Sequence, residues 1–178
     1  MASVEAKCTM PSKDTIERIM EFAGGLKDVD PEVLREMLEI ARLHRDVERH
    51  IENELAGWGL TARQVEILET LHHHPEGTLT PADLSVEVGL TRSAMTSALD
   101  STEKMGYTVR DSHPSDRRML VISLTPTGQD FIRKHLPERY RKACQIMSSI
   151  SKTERKMLLR TFGKVLKFFE RETKAKGT

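Results

Sequence analysis

The sequence predicts a mainly helical fold that contains one small β-hairpin. Apolar residues recur every three or four positions through most of the 178 residues, and helix-capping residues precede several of these stretches. Two short segments, residues 107–110 and 119–124, instead alternate as strands do, and the polar loop between them contains Pro114. These patterns predict helices on both sides of a two-stranded hairpin.

The N-terminal helices are marked by their capping residues. Ser12 precedes a short amphipathic helix, and Asp30 followed by Pro31 begins a second helix that is expected to end near Ala56. The second helix is longer than a small core requires, which favours a role in dimerisation.

Three more capping signals predict the helices of the middle segment. Thr61 and Gln64 form a capping box, and Thr80 precedes the next helix. Thr91 then caps a third helix almost directly after Gly89, which ends the second one. A short helix, a glycine turn and a following helix are typical of a helix-turn-helix.

The third of these helices has a polar outward face, formed by Thr91, Arg92, Ser93, Thr96, Ser97 and Asp100. Small hydroxyl side chains and an arginine near a helix N-terminus suit contacts with phosphates and base edges in a major groove. At the hairpin tip, His113, Arg117 and Arg118 are spaced to reach the adjacent minor groove. Asp116 is placed to orient the guanidinium of Arg118. The sequence therefore predicts a winged helix-turn-helix that binds double-stranded DNA.

Two further helices follow the hairpin. Thr125 begins the first, in which Pro137 predicts a kink, and a capping box formed by Ser151 and Glu154 begins the second. The second helix is expected to bury an apolar stripe, which consists of Leu158, Phe162, Val165, Leu166 and Phe169. We expect an N-terminal extension over 1–29, dimerisation helices over 30–57 and 126–172, a DNA-binding lobe over 58–125 and a tail over 173–178.

Composition and charge restrict the function classes. With 38% hydrophobic and 31% charged residues, the chain is expected to be globular and cytoplasmic, without a membrane partner. The net charge of the chain is +1, but residues 12–57 have a net charge of −5 and residues 127–178 one of +9. These two segments either attract each other or form solvated helix faces. Phosphate loops, nucleophilic triads and paired catalytic carboxylates are not evident in the sequence, and we expect neither an enzyme nor a cofactor.

Three segments of the sequence resemble the MarR family (multiple antibiotic resistance regulators) in order and spacing. They are LTARQVEILETL, LTPADLSVEVGLTRSAMTSALDSTEKMGY and DSHPSDRRMLVISLTPTG. The resemblance covers residues 32–172 and implies a bacterial-type transcriptional regulator, a repressor, that binds a palindromic operator as a homodimer. It also implies that residues 91–97 enter the major groove and that Arg118, oriented by Asp116, enters the minor groove.

The layout is most similar to the urate-responsive, PecS-type branch, which adds an N-terminal helix before the dimerisation helix. This resemblance implies that Phe22, Glu66 and Arg110 occupy effector-binding positions. The branch has tryptophan and aspartate in place of the first two residues, and its second arginine is missing near Ser97. Loss of an anion-binding arginine disfavours urate, so we expect another small aromatic or anionic effector.

Other interpretations stay open. Residues 72–74 are three histidines, which are compatible with a zinc sensor. However, adjacent side chains on a helix point in different directions, and histidine near a helix C-terminus also stabilises the helix dipole without a metal. Cys8 invites a redox sensor, whereas Cys144 lies on an apolar stripe and is expected to pack in a core. The acidic middle segment also fits a protein-interaction module, but such a module has no need of an arginine pair at the hairpin tip.

Overall fold

The computed structural model describes residues 13–112 and 119–176, which form seven helices and three strands. The helices are α1 (Lys13–Ala23), α2 (Pro31–Ala56), α3 (Ala62–His73), α4 (Pro81–Val88), α5 (Arg92–Lys104), α6 (Pro126–Ser148) and α7 (Lys152–Lys176). The strands are β1 (Thr78–Leu79), β2 (Thr108–Ser112) and β3 (Leu120–Leu124). This described part divides into two compact units, an N-terminal unit over 13–66 and a C-terminal unit over 67–176.

The N-terminal unit is built on contacts between α1 and α2. Ile16 and Ala23 are almost fully buried, and an ion pair of 2.6 Å between Arg35 Nη1 and Glu17 Oε1 joins the two helices. The hydrogen bond from Arg35 lowers the pKa of the Glu17 carboxyl. Asp30 caps α2 as predicted, since its Oδ1 accepts a hydrogen bond of 2.9 Å from the backbone N–H of Glu32.

Five further capping predictions are confirmed as well, whereas the cap predicted at Ser12 lies outside the described residues. Backbone N–H groups donate to the hydroxyls of the caps, in the pairs Gln64–Thr61, Asp83–Thr80, Ala94–Thr91, Gly128–Thr125 and Glu154–Ser151. Both predicted capping boxes close reciprocally, because the side chains of Gln64 and Glu154 accept from the backbone N–H of their caps. Capping residues satisfy the donors that the first turn of a helix leaves unpaired, so their positions fix where each helix begins.

The sheet of the C-terminal unit is antiparallel, with the strand order β1-β3-β2. The predicted hairpin is confirmed as the β2–β3 pair, in which Arg110 lies opposite Ile122. The strand β1, which pairs with β3 through Thr78 and Leu79, was not predicted. A two-residue strand is too short to show an alternating pattern in the sequence.

The core of the C-terminal unit lies where α4 and α6 contact β3 and where α5 contacts both α4 and β2. Its most deeply buried residues are Ile67, Leu68, Leu71, Leu84, Met95, Leu99, Ile122 and Ile132. These residues come from every one of the predicted middle helices and from the hairpin. The hydrophobic effect therefore holds the hairpin and the helix-turn-helix together as one body.

Two burial predictions are wrong for the single chain. The apolar stripe of α7 is 45 to 60% exposed, and Cys144 on α6 is exposed too. Both lie on helix segments beyond the core of their unit, where an amphipathic pattern by itself does not supply a partner surface. The helix α6 continues through Pro137 from residue 126 to residue 148, and the kink there stays a prediction.

Over residues 13–112 and 119–176, every helix falls short of the length and apolarity that crossing a bilayer demands.

A close backbone approach joins the end of α5 to the start of α6. The backbone N–H of Thr125 donates to the carbonyl of Tyr107 over 3.0 Å, and the Thr125 hydroxyl donates to the carbonyl of Gly106 over 2.6 Å. A Cβ atom at Gly128 would overlap the carbonyl group of Tyr107. Glycine at position 128 is therefore a packing requirement of this junction.

The substitution Gly128→Ala is expected to lower the free energy of unfolding by about 3 kcal/mol, because the added methyl group must displace backbone rather than a flexible side chain. Gly57→Ala is the control, since Gly57 is in a right-handed helical conformation (φ −62°) with only an ordinary contact nearby. It is expected to change stability by less than about 1 kcal/mol. Urea unfolding followed by circular dichroism measures both, and equal stability of the two variants would contradict the packing requirement.

Candidate nucleic-acid interface

The turn between α4 and α5 depends on Gly89. This residue has a left-handed conformation (φ 69°, ψ 35°), which a side chain would strain. The backbone N–H of Leu90 then donates to the carbonyl of Ser85 over 2.9 Å, which closes the end of α4. Ser85 is buried, and its hydroxyl donates to the carbonyl of Pro81 over 2.7 Å. Because the turn is this short, α5 begins at once with its cap Thr91.

The helix α5 has one buried and one exposed face. Met95, Leu99 and Thr102 are at most 2% exposed. The side chains on the opposite face are all exposed, and they are those of Thr91, Arg92, Ser93, Thr96 and Ser97. The hydroxyls of Thr91 and Ser93 are 3.2 Å apart, and the Thr96 hydroxyl donates to the carbonyl of Arg92 over 2.9 Å. The exposed face thus presents four hydroxyls and one guanidinium at the positive end of the helix dipole.

A buried hydroxyl pair anchors α5 to the hairpin. Thr102 Oγ1 lies 2.8 Å from Thr108 Oγ1 on β2 and donates to the carbonyl of Leu99 over 3.1 Å. Thr102 and Thr108 are 0% and 3% exposed, so no solvent hydrogen bond replaces this pair. The sequence did not predict this pair, because a hydroxyl pair between two elements has no local sequence signal.

A second link between α5 and β2 is ionic. Arg110 Nη2 lies 2.5 Å from Asp100 Oδ1, and Arg110 Nη1 lies 2.7 Å from Glu103 Oε2. Asp100, expected on the outward face of α5, is exposed there. Arg110 thus has both terminal nitrogens engaged by carboxylates of α5, and its expected role in binding an effector stays a prediction.

The other predicted site residues are distributed as follows. The hairpin-tip residues His113, Asp116, Arg117 and Arg118, and likewise Cys8, lie outside the described residues. In the N-terminal unit, Phe22 is 75% exposed on α1. Glu66 lies on α3 and forms an ion pair of 2.7 Å with Arg63 of that helix. Phe22 and Glu66 thus belong to one compact unit and Arg110 to the other.

The three histidines at the end of α3 have different surroundings. Burial lowers the pKa of His72, and the nearby His73 and Arg133 lower it further. His73 Nε2 lies 2.9 Å from the hydroxyl of Tyr140, which donates to Glu69 Oε1 over 2.7 Å. Among the described residues, no group of three histidine, cysteine or acidic side chains is arranged to hold a metal ion.

The same network links α3 to α6 and was not found from the sequence. Arg139 forms an ion pair with Glu69, and the rings of His73 and Tyr140 stack with centroids 6.4 Å apart. These residues are about 70 positions apart in the chain, so no spacing rule brings them together. They hold the first helix of the C-terminal unit against the helix that follows the hairpin.

The helix pair, its glycine turn and the adjoining hairpin define the chain as a winged helix-turn-helix protein. Residues 58–119 match the family model described as MarR family. The transcriptional repressor MprA of Escherichia coli K12 is 31% identical over 112 residues, which are 63% of this chain and 64% of MprA. The regulator PecS of Dickeya dadantii is 27% identical over 150 residues, which are 84% of this chain and 90% of PecS. The chain thus spans just under two thirds of the length of MprA.

Solved structures agree in fold. AbsC, a MarR family regulator from Streptomyces coelicolor, superposes with a TM-score of 0.68 at 23% identity, covering 82% of this chain and 97% of AbsC. The Staphylococcus aureus MepR–DNA complex gives 0.66 at 18% identity, covering 73% of this chain and 94% of MepR. Residues 58–119 of this chain thus match the MarR family, and the chain has the winged-helix fold of the MarR regulators that it is similar to. Its relatives are regulators rather than enzymes, as expected from the sequence, and the similarity to PecS fits the PecS-type layout.

Removing one member of the buried hydroxyl pair is expected to have unequal effects. Thr102→Val leaves the Thr108 hydroxyl buried without a partner and is expected to cost about 1–3 kcal/mol of unfolding free energy. Thr108→Val is expected to cost less, because Thr102 keeps its bond to the Leu99 carbonyl. The double variant is expected to be no less stable than Thr102→Val. Urea unfolding of all four proteins measures this cycle, and equal, additive losses would show that the two hydroxyls act independently.

Proposed function

We propose that this protein is a sequence-specific, double-stranded DNA-binding transcriptional regulator, a repressor, that acts as a homodimer on a palindromic operator and responds to a small effector. The observation that carries the proposal is the exposed face of α5, which follows a tight glycine turn and lies beside the hairpin. Helix-turn-helix proteins insert such a helix into the major groove. The repressor role draws on the similarity to MprA, which is named a transcriptional repressor.

The side chains of α5 suit base reading better than general phosphate attraction. Its exposed face offers the hydroxyls of Ser93, Thr96 and Ser97 but, in its first turn, only the guanidinium of Arg92 as a cation. Residues 61–90 carry a net charge of −4, which opposes a non-specific approach to DNA. Fewer neutralised phosphates give a shallower dependence of affinity on salt. The affinity for DNA is therefore proposed to depend on the close fit of α5 to the base edges, with additional contacts from Arg117 and Arg118 of the hairpin.

Exposed apolar stripes on two long helices support the homodimer. On α2 the stripe consists of Val33, Met37, Ile40, Leu43, Val47 and Ile51, and on α7 it includes Leu158, Phe162, Val165, Leu166 and Phe169. Exposed apolar patches of this extent are typical of protein–protein interfaces. The opposite charges of 12–57 and 127–178 favour contacts between helices of the two kinds across subunits.

The effector is proposed to shift the dimer between two spacings of its recognition helices. Only the spacing of about one turn of DNA, roughly 34 Å, fits both half-sites. An effector that binds more tightly to the dimer with the other spacing weakens DNA binding. The loss in binding free energy is at most the difference between its binding free energies for the two states. The proposal of an aromatic or anionic effector near Phe22, Glu66 and Arg110 draws on the family resemblance. An anion at Arg110 must compete with Asp100 and Glu103, so a neutral aromatic effector is favoured.

Selection from random duplexes at moderate salt, followed by sequencing, tests the proposed function. We expect a palindrome of about 16–18 base pairs, which matches two half-sites one turn apart. An absence of enrichment, together with wild-type behaviour of the Arg118→Ala variant, would favour a protein-interaction module instead. The recovered duplex also provides the probe for an effector screen by change in affinity and melting temperature.

Variants at the interface are expected to separate base reading from phosphate attraction. Ser93→Ala or Thr96→Ala is expected to relax preference at individual operator positions, whereas Arg118→Ala is expected to weaken binding to every duplex. Competition binding against operators with single base changes measures both effects. Equal losses for the three variants on operator and scrambled DNA would contradict these roles.

The substitution Phe162→Glu is expected to break the dimer, because it places a charge in the apolar stripe of α7. Lys164→Gln on the opposite side of α7 changes the net charge by the same one unit and is expected to leave the dimer intact. Sedimentation equilibrium measures both, with helix content checked by circular dichroism. A monomeric wild-type protein, or a Phe162→Glu variant that remains dimeric, would count against the proposed interface.

A further inference from the structure

The ion pairs of Arg110 join the two elements that the proposed function assigns to two different grooves of DNA. Arg110 lies on β2, the strand that leads to the hairpin tip, and its partners Asp100 and Glu103 lie one turn apart on α5. Its side chain is 28% exposed, whereas those of Asp100 and Glu103 are 59% and 39% exposed. The guanidinium is therefore partly enclosed, with one terminal nitrogen on each carboxylate.

This geometry differs from that of pairs within one helix. Arg49 and Asp46 on α2 are three residues apart and constrain only their own helix. Arg110 instead spans two elements, and the planar guanidinium fixes direction as well as distance, which a lysine ammonium does not. Together with the buried Thr102–Thr108 pair, it gives α5 and β2 two separate points of attachment.

We propose that Arg110 is a positioning residue that sets the orientation of the hairpin relative to the recognition helix, so that both fit one duplex. The inference rests on the proposed function. Arg110 acts through Asp100 and Glu103, which engage its two terminal nitrogens. Without Arg110, each element still folds, but the hairpin no longer has one fixed orientation relative to α5.

Removing the two carboxylates separates positioning from charge, because the two effects have opposite signs. In the variant Asp100→Asn/Glu103→Gln, two negative charges beside the proposed DNA face are lost. Affinity for a scrambled duplex is expected to rise about two- to fivefold, since phosphate repulsion falls. The ratio of operator to scrambled affinity is expected to fall about five- to tenfold, since helix and hairpin lose their common register.

Asp130→Asn/Glu138→Gln on the exposed surface of α6 is the matched control, because it makes the same change in net charge. It is expected to leave the affinity ratio at its wild-type value. An unchanged ratio in Asp100→Asn/Glu103→Gln, with wild-type preference for the selected operator, would overturn the positioning role alone. A wild-type protein that binds selected and scrambled duplexes equally would overturn the proposed function itself.

Arg110→Lys provides an independent measurement, because it keeps the positive charge and removes the two-pronged geometry. Equilibrium binding of fluorescent operator and scrambled duplexes gives the two affinities. We expect scrambled affinity within about twofold of wild type and a lower operator preference. If charge neutralisation were the whole role of Arg110, the lysine variant would keep the wild-type ratio, and the inference would be wrong.

Discussion

The structure depends above all on how α5 is fixed at both ends. Its N-terminal end follows the left-handed turn at Gly89, and its C-terminal end is tied to β2 by the buried hydroxyls of Thr102 and Thr108. Burial of Met95 and Leu99 holds the middle. Because one face is fixed in this way, the polar face has a defined orientation, and a defined orientation is what base reading in a groove requires.

The junction after the hairpin extends this constraint to the C-terminal helices. The carbonyl of Tyr107 accepts a hydrogen bond from Thr125, and Gly128 allows the first turn of α6 to approach the same carbonyl. The contact between Glu69 and Arg139 then ties α6 back to α3. A displacement of α6 would therefore also shift the base of the hairpin. The proposed response to an effector depends on a coupling of this kind.

Much of the fold follows from local sequence signals, and the rest does not. The caps at Asp30, Thr80 and Thr91 placed the helix starts correctly, because capping is a property of a few neighbouring residues. The hairpin and the exposed face of α5 followed from periodicity. Long-range contacts had no such signal. The family resemblance gave Arg110 only an effector-binding position and did not reveal its ion pairs with α5. The exposure of the α7 stripe likewise depends on which surfaces meet in the folded protein.

Guanine methylation interference on the selected duplex tests the central claim most directly, because the N7 atom of guanine lies in the major groove. The account predicts interference in two symmetry-related patches about one helical turn, roughly 34 Å, apart. It also predicts that Ser93→Ala or Thr96→Ala weakens interference at individual guanines within each patch. A single patch, or binding that is indifferent to major-groove methylation, would contradict the placement of α5 in the major groove.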